Sequence, residues 1–240
     1  MQPDSIHYSG NRENYERRRP RLYINRKTPL VTYILVAVTV LVFLADQALK
    51  LVIGYPLLTL LGAKLNSAII AGQWWRLVTP MFLHADFFHI LFNMFALVIW
   101  GRQLEALMGR ARYIAVYFLS GILGCMASFA FSNSLSVGAS GAVFGLFGAL
   151  LYFRREHREI FNAVFGVQVL VIIGINIANG FLVANIDNFG HLGGLAGGFI
   201  ACGITGFYGQ RQSAVVRYGC LLGYSALFLG FFALRYYGIT

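Results

Sequence analysis

The chain reads as an all-α, polytopic membrane protein, a bundle of seven transmembrane helices, and three observations carry that reading. Its 240 residues are 58% apolar and 12% charged, with mean hydropathy +0.66, a balance suited to hydrocarbon as the main solvent. The apolar residues gather in runs separated by short charged breaks, several of them about 20 residues long, as a helix crossing lipid requires. Those runs lack the apolar/polar alternation of a barrel strand, and lipid tolerates no other backbone arrangement than helix or closed barrel.

The first 29 residues are polar and carry seven Lys and Arg, and Thr28-Pro29 leads into the first span. A secretory signal would have a shorter basic region and a small-residue cleavage site, so residues 1–29 read as a retained cytoplasmic tail. Its run Arg17-Arg18-Arg19-Pro20-Arg21 suits the anionic headgroups of the inner leaflet, and no nucleic-acid motif accompanies it. Spans are expected near 30–49, 87–107, 113–132, 140–153, 160–183, 187–208 and 215–236, the fourth being short. Fifteen of the nineteen Lys and Arg fall in the tail and in the 102–112, 154–158 and 211–217 loops, whereas Lys50, Lys64, Arg76 and Arg235 fall on the other side. The positive-inside rule therefore puts the N-terminus in the cytoplasm and the C-terminus outside. With no organelle-targeting pattern, the chain suits a bacterial inner membrane.

In that topology the fourth and sixth spans start from the outer face, which brings two chemistry-bearing residues to similar depth. One is Ser140 in Gly138-Ala139-Ser140-Gly141, and the other is His191 in Gly190-His191. Gly141 and Gly145 in one span, and Gly190, Gly194 and Gly198 in the other, recur every four residues and line one face of each helix with hydrogen. Such faces let two backbones approach closely enough for a hydroxyl to meet an imidazole, although helix packing alone also explains them. A third element, His84-Ala85-Asp86-Phe87-Phe88-His89-Ile90-Leu91-Phe92-Asn93, leads into the second span. His89 and Asn93 are four apart and share a helix face, as donors to a developing oxyanion would, or as interhelical glue. His84 and His89, five apart, do not share one. The sequence has no His-Glu-x-x-His, and Cys125, Cys202 and Cys220 are isolated in or beside apolar spans, so neither metal, cofactor nor disulfide framework is expected.

Together these segments resemble the rhomboid family of intramembrane serine proteases. The likeness runs from Gln73 to the end of the sixth span, through Trp75-Arg76, the His-to-Asn segment with Glu105 and Gly109 at its inner end, the Gly-x-Ser-Gly opening and the Gly-His with following glycines. The resemblance implies that Ser140 is the nucleophile and His191 the general base, with the Ser140 backbone N–H, His89 and Asn93 holding the oxyanion. It implies a six-helix catalytic core over 30–209, to which residues 210–240 add one helix. Phe144, one turn below Ser140, resembles the aromatic position on which the family's histidine packs. Gly138, Gly141, Gly190 and Gly194 would support the close approach. Asp187, four residues before His191, is expected in water at the span's outer end and not as a third catalytic member. Trp75-Arg76 and Glu105 are expected to be structural.

The implied reaction is acyl transfer to Ser140, then hydrolysis by water that reaches the site through an outward-open cavity into which Ser132, Asn133, Ser134 and Ser136 project. Since a helix engages its own carbonyls, the expected substrates are transmembrane segments that unwind easily near the outer boundary, with small and helix-breaking residues there. Two rivals remain open: a non-catalytic scaffold that binds transmembrane clients, and a small-solute transporter. The first would be expected to lack Ser140 or His191. The second would show paired helix interruptions in two halves, and no such pairing is found.

Overall fold

The computed structural model describes residues 24–25, 27–182 and 186–238. The basic run Arg17–Arg21 lies outside them. Among the described residues the chain is helical, apart from one isolated antiparallel bridge between Lys64 and Ser136.

Helix α1, Leu30–Ile53, starts after Pro29 and stops at Gly54, whose φ of 84° supplies the left-handed turn that closes a helix. Two carboxylates from the protein's interior govern its neighbourhood. At its N-terminal end Glu105 accepts from the Thr32 N–H and hydroxyl, both at 2.8 Å, and from Val31 N–H at 3.1 Å, satisfying donors that no turn of α1 can reach. Towards its C-terminal end Asp46 accepts from Leu58 N–H at 2.7 Å and the Thr59 hydroxyl at 2.6 Å, and so starts the short helix α2, Leu57–Gly62. The last carbonyls of α2 are equally well met. Arg76 donates to Leu60 and Ala63, the Trp75 indole to Leu61, and the Thr79 hydroxyl to Gly62. Trp75, Arg76 and Thr79 thus satisfy the carbonyls that the end of α2 leaves without helical partners.

A one-turn helix α3, Asn66–Ile70, and two 3-10 turns, Trp74–Leu77 and Thr79–Phe82, complete the loop that follows α1. Helix α4, Phe87–Ala96, is capped by Asp86, which accepts from His89 N–H at 2.9 Å. It runs through a π turn, Leu97–Gly101, into α5, Arg102–Met108, and Gly109 at φ 76° ends the segment. Helix α6 is Arg110–Phe131 and α7 is Ser140–Glu156. Helices α8, Arg158–Val164, and α9, Gln168–Leu182, replace the single helix expected over 160–183 and meet at 81°. The break has a local cause: Gly166 takes φ 62°, and both Phe165 N–H and Gly166 N–H turn back to the Phe161 carbonyl. Helix α10, Asn188–Thr205, and α11, Ala214–Tyr236, follow.

The protein is thus an all-α, polytopic membrane protein. By length and composition α1, the α4–α5 segment, α6 and α11 can each cross a membrane, and the α8–α9 pair makes a fifth span if taken as one. Helices α6, α7 and α10 pack mutually at the centre, while α11 lies against α6 and α10. Every residue of α7 from Ala142 to Leu150 is buried. A helix wrapped in protein does not have to match the lipid thickness itself, which accounts for the 17 residues of α7.

Candidate active site

Ser140 is the first helical residue of α7, so its backbone N–H is one of the four that no helical carbonyl satisfies. The approach to it is tied down on both sides. Gly138 N–H donates to the Pro80 carbonyl at 2.9 Å, and Ala139 N–H donates to Nε2 of the buried His84 at 3.3 Å. Gly138 takes φ 124°, a conformation that side chains resist, and a Cβ there would stand 2.6 Å from His89 Nε2. Glycine at 138 therefore lets the His89 ring lie against the chain two residues before the serine.

His84 packs edge-on against His89, with centroids 4.9 Å apart. Burial lowers the His84 pKa from its usual value to about 3, so the ring is neutral and its Nε2 is free to accept from Ala139. One turn along α4, the Asn93 amide donates to the His89 carbonyl at 2.9 Å, leaving its second hydrogen available.

His191 sits in the first turn of α10, its N–H bonded to the Asp187 carbonyl at 3.0 Å. Its ring stacks on Phe144 of α7, with centroids 4.1 Å apart and planes 11° from parallel. Nδ1 is buried without a hydrogen-bond partner, so no carboxylate orients the ring. The Ser140 hydroxyl and His191 are not hydrogen-bonded in this arrangement; such bonds often tighten only in the complex with substrate. What brings their helices together is glycine. The Gly190 carbonyl lies against Gly141, and a methyl on Gly194 would strike the Gly141 carbonyl, as one on Gly198 would strike that of Gly145.

Asp187 departs from expectation. Instead of standing in water it is partly buried: one oxygen accepts from Gly190 N–H at 2.9 Å, and the other from the hydroxyls of Ser136, at 2.6 Å, and Ser128. A cavity of about 30 Å³ adjoins Ser140, lined also by Lys64, Cys125, Ser136 and Asp187. Of the four polar loop residues expected to project into a cavity, Ser136 is the one that lines it, while the backbone carbonyls of Ser132 and Ser134 accept from Lys64.

Sequence reasoning passed over Asp46, Lys64, Ser128 and the bond from Ala139 to His84. The signal for Asp46 and Lys64 was a charge in an apolar setting, which must find partners there. Ser128 carried no signal, since the carboxylate it serves lies 59 residues away. Among the described residues, no cluster of His, Cys, Asp and Glu has the form of a metal site.

Residues 71–208 match the family model for the rhomboid domain. GluP, a rhomboid protease of Bacillus subtilis, is 42% identical over 202 residues, which is 82% of this chain and 40% of GluP. YdcA of the same bacterium is 35% identical over 178 residues, 73% of this chain and 87% of YdcA. A rhomboid-like protease of Toxoplasma gondii is 39% identical over 180 residues, 71% of this chain and 59% of that one. The chain spans about two fifths of GluP's length but most of YdcA's. A family match across more than half of the chain, joined to these identities, establishes that the protein belongs to the rhomboid family.

Proposed function

We propose that the protein is an intramembrane serine endopeptidase that cleaves transmembrane segments near their outer boundary with a Ser140–His191 dyad. The observation that carries this reading is a serine opening a buried, glycine-faced helix beside a histidine stacked on Phe144. His191 takes the Ser140 proton as the hydroxyl attacks the scissile carbonyl. The negative charge that develops on the carbonyl oxygen is held by the Ser140 N–H, His89 and Asn93, preorganised donors that need no rearrangement at the moment of reaction. The tetrahedral intermediate collapses, His191 protonates the leaving amine, and a water then repeats the sequence on the acyl-enzyme. The Phe144 ring takes the orienting role that a carboxylate has in a triad.

In this reading α7 and α10 cross the membrane together with the other five segments, making a core of six spans with α11 as the seventh. The N-terminus is cytoplasmic and the C-terminus outside, in a bacterial inner membrane. Enclosure of α7 by other helices supports the count, because that helix need not present a lipid-grade surface of its own.

The test is cleavage of tagged single-span substrates by detergent-purified protein, comparing wild type with Ser140→Ala and His191→Ala at matched folding. Cutting near the outer boundary that vanishes in both variants is expected. Binding of substrates without cutting in all three proteins would instead identify a client-binding scaffold.

A further inference from the structure

Glycine-faced helices gain close approach at the expense of interlocking, since a surface without side chains offers nothing to stop one helix sliding or turning on another. The α7–α10 contact is of this kind, yet the proposed chemistry needs His191 held in register with Ser140. Beyond the stack on Phe144 the ring has no fixed partner at Nδ1, so its place depends on the first turn of α10.

That turn is anchored by a polar knot which the mechanism does not otherwise use. Asp187 caps α10 through Gly190 N–H and accepts from Ser128 at the end of α6 and from Ser136 in the loop before α7. The backbone of Ser136 pairs in both directions with that of Lys64, at 2.9 and 3.2 Å. Lys64 is fully buried, and its ammonium donates to the carbonyls of Ser132 and Ser134, both at 2.9 Å. Burial pushes its pKa down, against the opposing pull of Asp187. The knot therefore joins the outer loop, the end of α6, the loop that delivers Ser140 and the turn that carries His191.

We propose that Asp187 is a positioning residue for His191, and that its bonds to Ser128 and Ser136 set the register of α10 against α7. The inference rests on the Ser140–His191 reading. The carboxylate of Asp187 is met by the amide end of α10 and by the Ser128 and Ser136 hydroxyls, which allows it to serve in a half-buried place.

The experiment compares wild type, Asp187→Asn, the Ser128→Ala/Ser136→Ala double variant, and the combination of all three changes. Asparagine caps a helix as well as aspartate does, but its amide nitrogen can meet the two hydroxyls only as a donor and without the carboxylate's charge, so Asp187→Asn keeps the cap and weakens the clamp, while the serine double variant removes the clamp outright. Readouts are kcat and KM on a tagged single-span substrate, the labelling rate of Ser140 by a fluorophosphonate, and the thermal midpoint, with assays run well below it. The expected result is a fall of about 10- to 100-fold in kcat and in labelling, with KM within about twofold. The serine variant should match it, and the combination should lose no more, as members of one unit do. Ser136→Ala alone keeps the cap and one clamp bond, and should show a smaller fall in the same parameter if the others fold poorly. Unchanged kcat and labelling below a lowered midpoint, losses that multiply, or a loss carried by KM would each overturn the proposal. A wild type that neither cuts nor labels would overturn the protease reading and this inference together, whereas a reactive wild type matched by the Ser128→Ala/Ser136→Ala variant would overturn the inference alone.

Discussion

Nε2 of His84 holds the Ala139 N–H one residue ahead of Ser140, at a site 2% exposed to solvent. The bond exists only while the ring is neutral, and burial keeps it so by lowering the pKa to about 3. An unfolded chain would titrate the same histidine near 6.5. Between those values the unfolded state binds the proton that the folded state refuses, so this contribution to stability is complete above pH 6.5 and is lost as pH falls towards 3, at about 1.4 kcal/mol per unit. Glutamine can accept from Ala139 without titrating. His84→Gln should make the dependence of unfolding on pH shallower by about one proton between pH 6 and 4, read from denaturant or thermal unfolding in detergent. An unchanged slope would mean that another group carries it. His84 was visible in the sequence only as a residue off the His89 face, because helix spacing says nothing about a partner 55 positions away. Ser140, His191 and Phe144 could be singled out from motifs, since each owes its place to its own helix.

Between elements the decisive contact is the glycine-faced crossing of α7 and α10. A methyl at Gly194 meets the Gly141 carbonyl, which is backbone and cannot swing aside, whereas a methyl at Gly174 in α9 meets nothing within 4 Å. Gly194→Ala should therefore destabilise by about 1–3 kcal/mol and suppress cleavage, as overpacking does. Gly174→Ala should leave activity intact and hold or raise the thermal midpoint, because alanine favours helix by roughly 1 kcal/mol. Equal midpoints for the two variants would contradict the packing described. The four-residue glycine spacing announced which faces approach. The bend between α8 and α9 was missed, since a lone glycine in an apolar run is compatible with a continuous helix until its φ is known. The caps from Glu105 and Asp46 were also out of reach, each joining helices distant or reversed in direction.

At the scale of the whole molecule, α11 is a brace as well as a candidate span. Its Tyr224 hydroxyl donates to the Leu119 carbonyl of α6, Phe232 stacks near Trp74 and Phe129, and Arg235 bonds the Asn133 side chain in the loop before Ser140. The proposed topology predicts where reporters work: alkaline phosphatase fused after Tyr237 should be active, and inserted between Glu156 and His157 it should be inactive. The opposite pattern would reverse the orientation and move the site to the cytoplasmic face. Composition and hydropathy by themselves determined the solvent, the helical class and the regions in which helices form, because those follow from local burial of backbone polar groups. Motif spacing likewise determined the candidate residues and the glycine faces. Only the tertiary structure decided that α7 lies sheathed at the centre against α6 and α10, that the α8–α9 segment bends, and that Asp187, Lys64, Ser128 and Ser136 tie four segments into one knot. Those outcomes depend on partners brought together by packing across tens of residues, and periodicity along a chain carries no information about them.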